Sequence, residues 1–252
     1  MTDIRASATR SPTGDDATGD NDLAAFALLP AFRRRQFQPD QEVIREGDPA
    51  PHAYALVSGW AFSYRLLADG TRQVLAFHIP GDMPGLADAL LGRSSAGCKA
   101  ATPIVANSLP AYQLRAALTH DPGLAAPVLR ALSREAVAAQ ERMVDLGRRS
   151  AVARTVHMLL ELGERLQRAG MAVGNGYACP ISQILLADAL GLSAIHLNRV
   201  LRRLREDGVL RFRAGHVVFD DPARARRLAL SSRQDTPEPY PGRPRHSTLP
   251  GP

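Results

Sequence analysis

The chain has 252 residues, 45% of them hydrophobic and 22% charged, an ordinary balance for a water-soluble protein with room for two cores. No run approaches the ~18 uninterrupted apolar residues of a membrane-spanning helix, and two cysteines, Cys98 and Cys179, are too few for a disulfide framework or a four-cysteine metal centre. The net charge of +6 is uneven: from Arg148 to Arg233 fifteen arginines stand against seven acids, leaving the rest of the chain slightly acidic.

A concentrated basic half predicts a polyanionic partner, nucleic acid ahead of a membrane because no lipid-facing apolar stripe accompanies it. The alternative is a GC-rich coding sequence. That would explain thirty arginines against the single Lys99, but not their clustering. Free cysteines suit a reducing cytoplasm.

In chain order, residues 1–22 are rich in Ser, Thr, Gly and Asp and are expected to be disordered, with no hydrophobic segment resembling a signal peptide. Residues 23–118 read mostly as strand. In "WAFSYRLL", Trp60, Phe62, Tyr64 and Leu66 alternate with Ala61, Ser63 and Arg65, the period of a half-buried strand. Asp69-Gly70 predicts a hairpin turn into "RQVLAFHI". Further glycine turns at "EGDPAPHA", "VSG" and "PGDMPG" argue for many short strands in an antiparallel barrel or jelly roll.

The period changes between Asp121 and Arg149. Ala125, Leu129, Leu132, Ala136, Ala139, Met143 and Leu146 follow alternating spacings of four and three, a heptad seam expected to pair with a second copy of the chain. The alternative is a long helix packed on its own barrel. The segment 119–148 is therefore assigned as a dimerisation helix and 149–229 as a second domain. Its first helix spans about 151–169, with Val152, Val156, Leu159, Leu160 and Leu166 as its apolar stripe. "GMAVGNGYACP" reads as a loop, and "ISQILLADAL" as a short helix capped by Ser182.

The most informative stretch follows: "GLSAIHLNRVLRRLRE", residues 191–206. Leu197, Val200, Leu201 and Leu204 lie at i, i+3, i+4 and i+7 and face a core, and Ser193 is a good N-cap. Ile195, His196, Arg199, Arg202, Arg203 and Glu206 are left on the other side. "GVLRFRAGHVVF" then reads as two strands joined at Ala214-Gly215. Helix, short helix, glycine turn, helix and hairpin make a winged helix-turn-helix, whose second helix enters the major groove of double-stranded DNA. In that reading Ile195, His196 and Arg199 lie toward the bases and Arg202 and Arg203 toward phosphates, with the capping Ser193 also counted in the DNA-binding surface. Arg199 is the first candidate for bidentate contact with guanine. The proline-rich segment 230–252 is expected to be disordered.

Taken together, "REGDPAPHAYALVSG", "LLADGTRQVLAFHIPGD", the long helix and "LADALGLSAIHLNRVLRRLREDGVL" resemble the Crp/Fnr family of bacterial transcription regulators. The resemblance implies an α+β chain: an N-terminal β-roll effector domain, a dimerising helix and a winged helix that binds a palindromic operator. It also implies contact with RNA polymerase if the protein is an activator. In cyclic-AMP-binding members one turn supplies a glutamate for the ribose, and an arginine further on holds the phosphate. Here the first position falls on Leu86, after Gly85, and the second near Ser94, beside Arg93. Leu86 cannot accept a hydrogen bond from a ribose and Ser94 cannot neutralise a phosphate. A response to cyclic AMP is therefore not expected unless Arg93 serves from a shifted register.

The family's oxygen sensors need an N-terminal cysteine cluster, and residues 1–30 have no cysteine. Haem sensing would draw on His78 and Cys98, although a lone histidine is more often structural. An enzymatic reading finds no support, because His52, His78 and His120 lack metal-ligand spacing and no phosphate loop or nucleophile elbow is present. No metal is expected, and the effector is left open.

Overall fold

The computed structural model describes residues 33–231. The tails expected to be disordered, 1–22 and all but the first two residues of 230–252, lie outside them. The N-terminal half is a roll of two antiparallel sheets. One sheet sets β7 (Ile104–Pro110) between β1 (Arg33–Phe37) and β3 (His52–Ser58). The other runs β2 (Glu42–Ile44), β6 (Gly97–Ala100), β4 (Ala61–Leu66), β5 (Arg72–His78).

The alternation read in β4 sorts as expected for Trp60, Phe62 and Tyr64, which are buried, but not for Leu66, which is exposed. Leu66 sits where the β4–β5 hairpin projects beyond the core, so no opposing sheet covers it. The hairpin itself closes as the sequence predicts. Leu67 N–H donates to Thr71 O (2.8 Å), the Asp69 carboxylate accepts from the Thr71 N–H and hydroxyl, and Gly70 takes φ 81°.

Two helices interrupt a region read mostly as strand: α1 (Leu86–Leu91) and α2 (Ala111–His120). Both are short, and single buried leucines fix them, Leu86 and Leu114, so neither leaves a long periodic signature. Helix α3 (Pro122–Arg148) starts at Asp121, whose carboxylate accepts from Gly123 N–H at 2.8 Å. Helix α4 (Ala151–Arg168) starts at Ser150 and buries Val156, Leu159, Leu162 and Leu166. Val152 and Leu160 of the expected stripe are only half-buried.

The loop expected at 170–180 is a hairpin instead: β8 (Ala172–Val173) and β9 (Gly176–Ala178). With β10 (Leu210–Arg213) and β11 (His216–Phe219) it forms a sheet ordered β10-β11-β9-β8. Gly170, Gly174 and Gly176 break up the stretch, and its pairing partner β11 lies forty residues on, so local sequence carries no strand signal. Helix α5 (Gln183–Leu190) is capped by Ser182 and ends at Gly191 in the left-handed region (φ 60°). Helix α6 (Ala194–Glu206) follows, and α7 (Pro222–Ala229) packs Ala225 and Ala229 into the core. Helix α7 is too short for a clear apolar period, although Asp221-Pro222 is a good start signal.

The halves share a core. Trp60, Phe62, Tyr64, Val74, Phe77 and Ile79 of the roll join one buried cluster with Leu159, Leu186, Leu197 and Leu204. Polar contacts reinforce that seam along β5, the edge strand. Its carbonyls at Leu75 and Phe77 accept from Arg142 (2.6 Å) and Arg165 (3.1 Å), so side chains cover the backbone groups that an open sheet edge would expose. Arg165 also pairs with Asp82.

Candidate nucleic-acid interface and effector cavity

Helix α6 is amphipathic by construction. Leu197, Val200, Leu201 and Leu204 are buried, and the Ser193 hydroxyl accepts from His196 N–H at 3.2 Å, which closes the N-terminus. Ser193 is thus the N-cap that its sequence position predicts. Its hydroxyl hydrogen is still free to donate. Directly opposite the buried stripe run Ile195, Arg199 and Arg202 at i, i+4 and i+7, all exposed. His196 is half-buried on one flank and Asn198 is exposed on the other. Asn198 was not singled out from the sequence, although an exposed asparagine on a groove-reading helix can pair with adenine.

The cations on this helix differ in their engagements. Arg202 pairs with Glu206 at 2.7 Å and Arg203 with Asp207 at 3.7 Å. Exposed pairs at this helical spacing are weak and screened by solvent, too weak to hold either guanidinium against a phosphate. Arg199 has no ion pair among the described residues. Between α6 and the wing lies an open groove of about 790 Å³ that includes Asn198, Arg202, Arg205, Arg211, Arg213 and His216 in its walls. The wing turns at Ala214 (φ 50°) and Gly215 (φ 73°), the two left-handed residues a tight hairpin requires. Arg211 is held by Asp220 through two nitrogens (2.7–3.1 Å). The wing arginines escaped the sequence reading because strand residues carry no helical periodicity to mark their face.

The roll holds a second concavity of about 260 Å³, bounded by β2, the 48–54 segment, Gly85, Asp88 and Ser94. Of the four residues expected there, Gly85 and Ser94 line it. The Leu86 side chain instead packs in a core cluster with Leu109, Leu114 and Val128, and Arg93 is exposed and absent from the lining. Ser94 Oγ is buried without a hydrogen-bond partner among the described residues. The walls bring in carboxylates of Glu42, Asp48 and Asp88 against Arg45 and His52. Burial would raise the Glu42 carboxyl, but hydrogen bonds from Arg45 and Tyr64 outweigh it and leave it below the usual carboxylate range. Burial, with Arg35 and Arg33 nearby, lowers the His52 imidazole, which favours its neutral form. The residues considered for haem are both occupied. His78 Nε2 lies 2.7 Å from Ser63 Oγ, and burial pushes the Cys98 thiol up to about 12 against a hydrogen bond from Ser63.

On α3 the expected seam divides. Leu129 and Met143 are 63% and 73% exposed, and Ala136, Ala139 and Leu146 are exposed as well. Val137 and Val144, outside the seam as read, are also exposed. Leu132 is half-buried against the cluster of Leu86 and Leu114. The helix thus has one apolar side on its own roll and another on its surface. Its C-terminal end is tied to α4, where Asp145 accepts from Arg149 and lies 2.8 Å from His157 Nδ1.

Comparison with known proteins agrees with both halves. Residues 34–121 match the model of the cyclic nucleotide-binding domain, and residues 153–228 that of the Crp-like helix-turn-helix domain. The chain is 30% identical over 199 residues to the nitrogen fixation regulation protein FixK of Bradyrhizobium diazoefficiens, covering 79% of this chain and 83% of that one. It is 26% identical to the fumarate and nitrate reduction regulatory protein of Vibrio cholerae, covering 80% of each. Among solved structures it is similar to FixK2 from Bradyrhizobium japonicum, with a TM-score of 0.73, 30% identity, and coverage of 80% of this chain and 98% of that one. A β-roll joined through a long helix to a winged helix-turn-helix, with these relatives, has one meaning: the chain belongs to the Crp/Fnr family of DNA-binding transcription regulators.

Proposed function

We propose that two copies of this chain bind a palindromic duplex operator, each laying α6 in a major groove, and that the roll does not answer to cyclic AMP. The observation that carries the DNA contact is the outward ridge of Ile195, Arg199 and Arg202 on a helix whose opposite face is wholly buried. Ile195 and Arg199, with His196 on the flank, face base edges; Arg202, Arg203 and the wing meet phosphates. The exposed apolar residues of α3, Leu129, Met143 and Leu146 among them, support self-association through that helix. The protein works in the cytoplasm, and as an activator it would also meet RNA polymerase.

The cavity supports the second half of the reading. Three carboxylates against one arginine and a histidine whose charged form burial disfavours make a poor receptor for a phosphate, and Leu86, packed in the core, offers no acceptor to a ribose hydroxyl. The opposing reading has one observation in its favour, the match of residues 34–121 to a cyclic nucleotide-binding domain. It would require Arg93 to turn inward from its exposed position.

Two measurements decide between them. Selection from a random duplex library with the purified protein should enrich a palindrome. Calorimetric titration with cyclic AMP and cyclic GMP should give no heat. Micromolar binding lost in Arg93→Ala would overturn the second half of the proposal.

A further inference from the structure

Most of the surface of α6 away from its core is arginine, polar or acidic, and Ile195 is the exception. At 73% exposed, it is the one large aliphatic side chain on that helix outside the buried stripe. A solvated isoleucine there serves neither folding nor solubility. It packs against no core cluster, and alanine is a better helix former at an exposed site. Its position on the ridge with Arg199 and Arg202 aims it wherever those guanidiniums go.

A branched aliphatic side chain has no donor or acceptor with which to read a base edge. One base offers it an apolar partner in the major groove, thymine, through its C5-methyl group. We propose that Ile195 is a specificity residue that reads a thymine methyl close to the guanine taken by Arg199. Four helical residues rise about 6 Å, slightly less than two base steps of about 3.4 Å. The thymine therefore lies within two base pairs of that guanine in each half-site. The inference rests on the DNA-binding reading of α6 and adds to it the identity of one base and the group on it that is recognised.

Removing the methyl tests this directly, because uracil differs from thymine only at that group. Operators selected with the full-length wild-type protein are resynthesised with each half-site thymine in turn replaced by deoxyuracil. At one position per half-site, within two base pairs of a guanine whose replacement hurts wild type but not Arg199→Ala, the change should weaken wild-type binding about three- to tenfold. The same change should leave Ile195→Ala indifferent. Thermal unfolding midpoints of the two proteins should agree, since only exposed atoms are removed. Ile195→Glu, which brings an acceptor to the same spot, should shift the selected base from thymine toward cytosine, whose N4 amine it can accept from. Equal sensitivity of wild type and Ile195→Ala to deoxyuracil at every thymine would overturn the inference while leaving the regulator reading intact. A wild-type protein that enriches no duplex sequence would remove both.

Discussion

Arg72, at the start of β5, reaches into the DNA-binding half and grips Asp188 near the end of α5, with Nε at 2.9 Å and Nη2 at 2.6 Å from one carboxylate oxygen. Beside it, the Gln73 amide donates to the Asp188 carbonyl at 2.8 Å and to that of Ala189 at 3.4 Å. These are last-turn carbonyls with no partner inside α5, so the roll finishes the first helix of the helix-turn-helix. The roll and the helix-turn-helix are thereby joined by polar contacts as well as by the shared apolar cluster.

Breaking that grip should loosen the halves without unfolding either. Both side chains are about a quarter to a third exposed, so the coupling between Arg72→Ala and Asp188→Ala in a double-mutant cycle is expected to be about 1 kcal/mol. Chemical denaturation of the wild type, both single variants and the double variant measures it. A coupling near zero would mean that the shared apolar cluster alone holds the seam.

Arg199→Ala should cost on the order of 1–3 kcal/mol of operator affinity and relax base preference at one position per half-site. Arg202→Ala and Arg203→Ala should instead weaken all duplexes alike and reduce the slope of affinity against salt by about one each. Binding isotherms at several salt concentrations separate the two behaviours. If Arg199→Ala weakens every sequence equally, it reads phosphate and not base.

Self-association is best probed at Met143. Leu132→Glu would place a carboxylate in the expected seam, but Leu132 also packs on its own roll, so its loss would damage folding as well. Met143 is 73% exposed in the single chain. Met143→Glu should therefore convert a dimer to a monomer by sedimentation velocity, with the monomer's own stability changed by less than about 0.5 kcal/mol. A variant that still sediments as a dimer would move the interface away from α3.

His78 makes stability depend on acid. Burial pushes its imidazole down to about 4, with Arg165 and Arg142 adding to the effect and Asp82 opposing it. The unfolded chain takes up this proton near pH 6.5. Between pH 6.5 and 4 the unfolded state holds more protons at this site, so stability should fall as pH falls, by up to roughly 3 kcal/mol. Denaturation midpoints across that window should decline less steeply in His78→Gln, which keeps a hydrogen-bonding group for Ser63. Parallel pH profiles would assign the effect to other groups.

The helix-turn-helix was legible because its information is local. Ser182, Gly191, Ser193 and the spacing of Leu197, Val200, Leu201 and Leu204 lie within one stretch of chain, and each acts on neighbours a turn away. The β4–β5 hairpin was legible for the same reason. The roll's cavity was legible in part. Gly85 and Ser94 do line it, but whether Leu86 and Arg93 point in or out depends on how a short helix settles against Leu109 and Leu114. The β8–β9 hairpin has no strand signal of its own and exists because β11 pairs with it.

What local sequence determined, then, is the order of the elements, the buried stripe of α6 and the basic character of its other side. Tertiary structure decided which side of α3 the roll covers, that Leu132 is shared while Met143 is left open, and that Arg72 and Gln73 cap a helix 116 residues away in sequence. Those outcomes depend on where distant surfaces meet. A side chain's own periodicity says which face it shares with its neighbours, but only packing determines what that face touches.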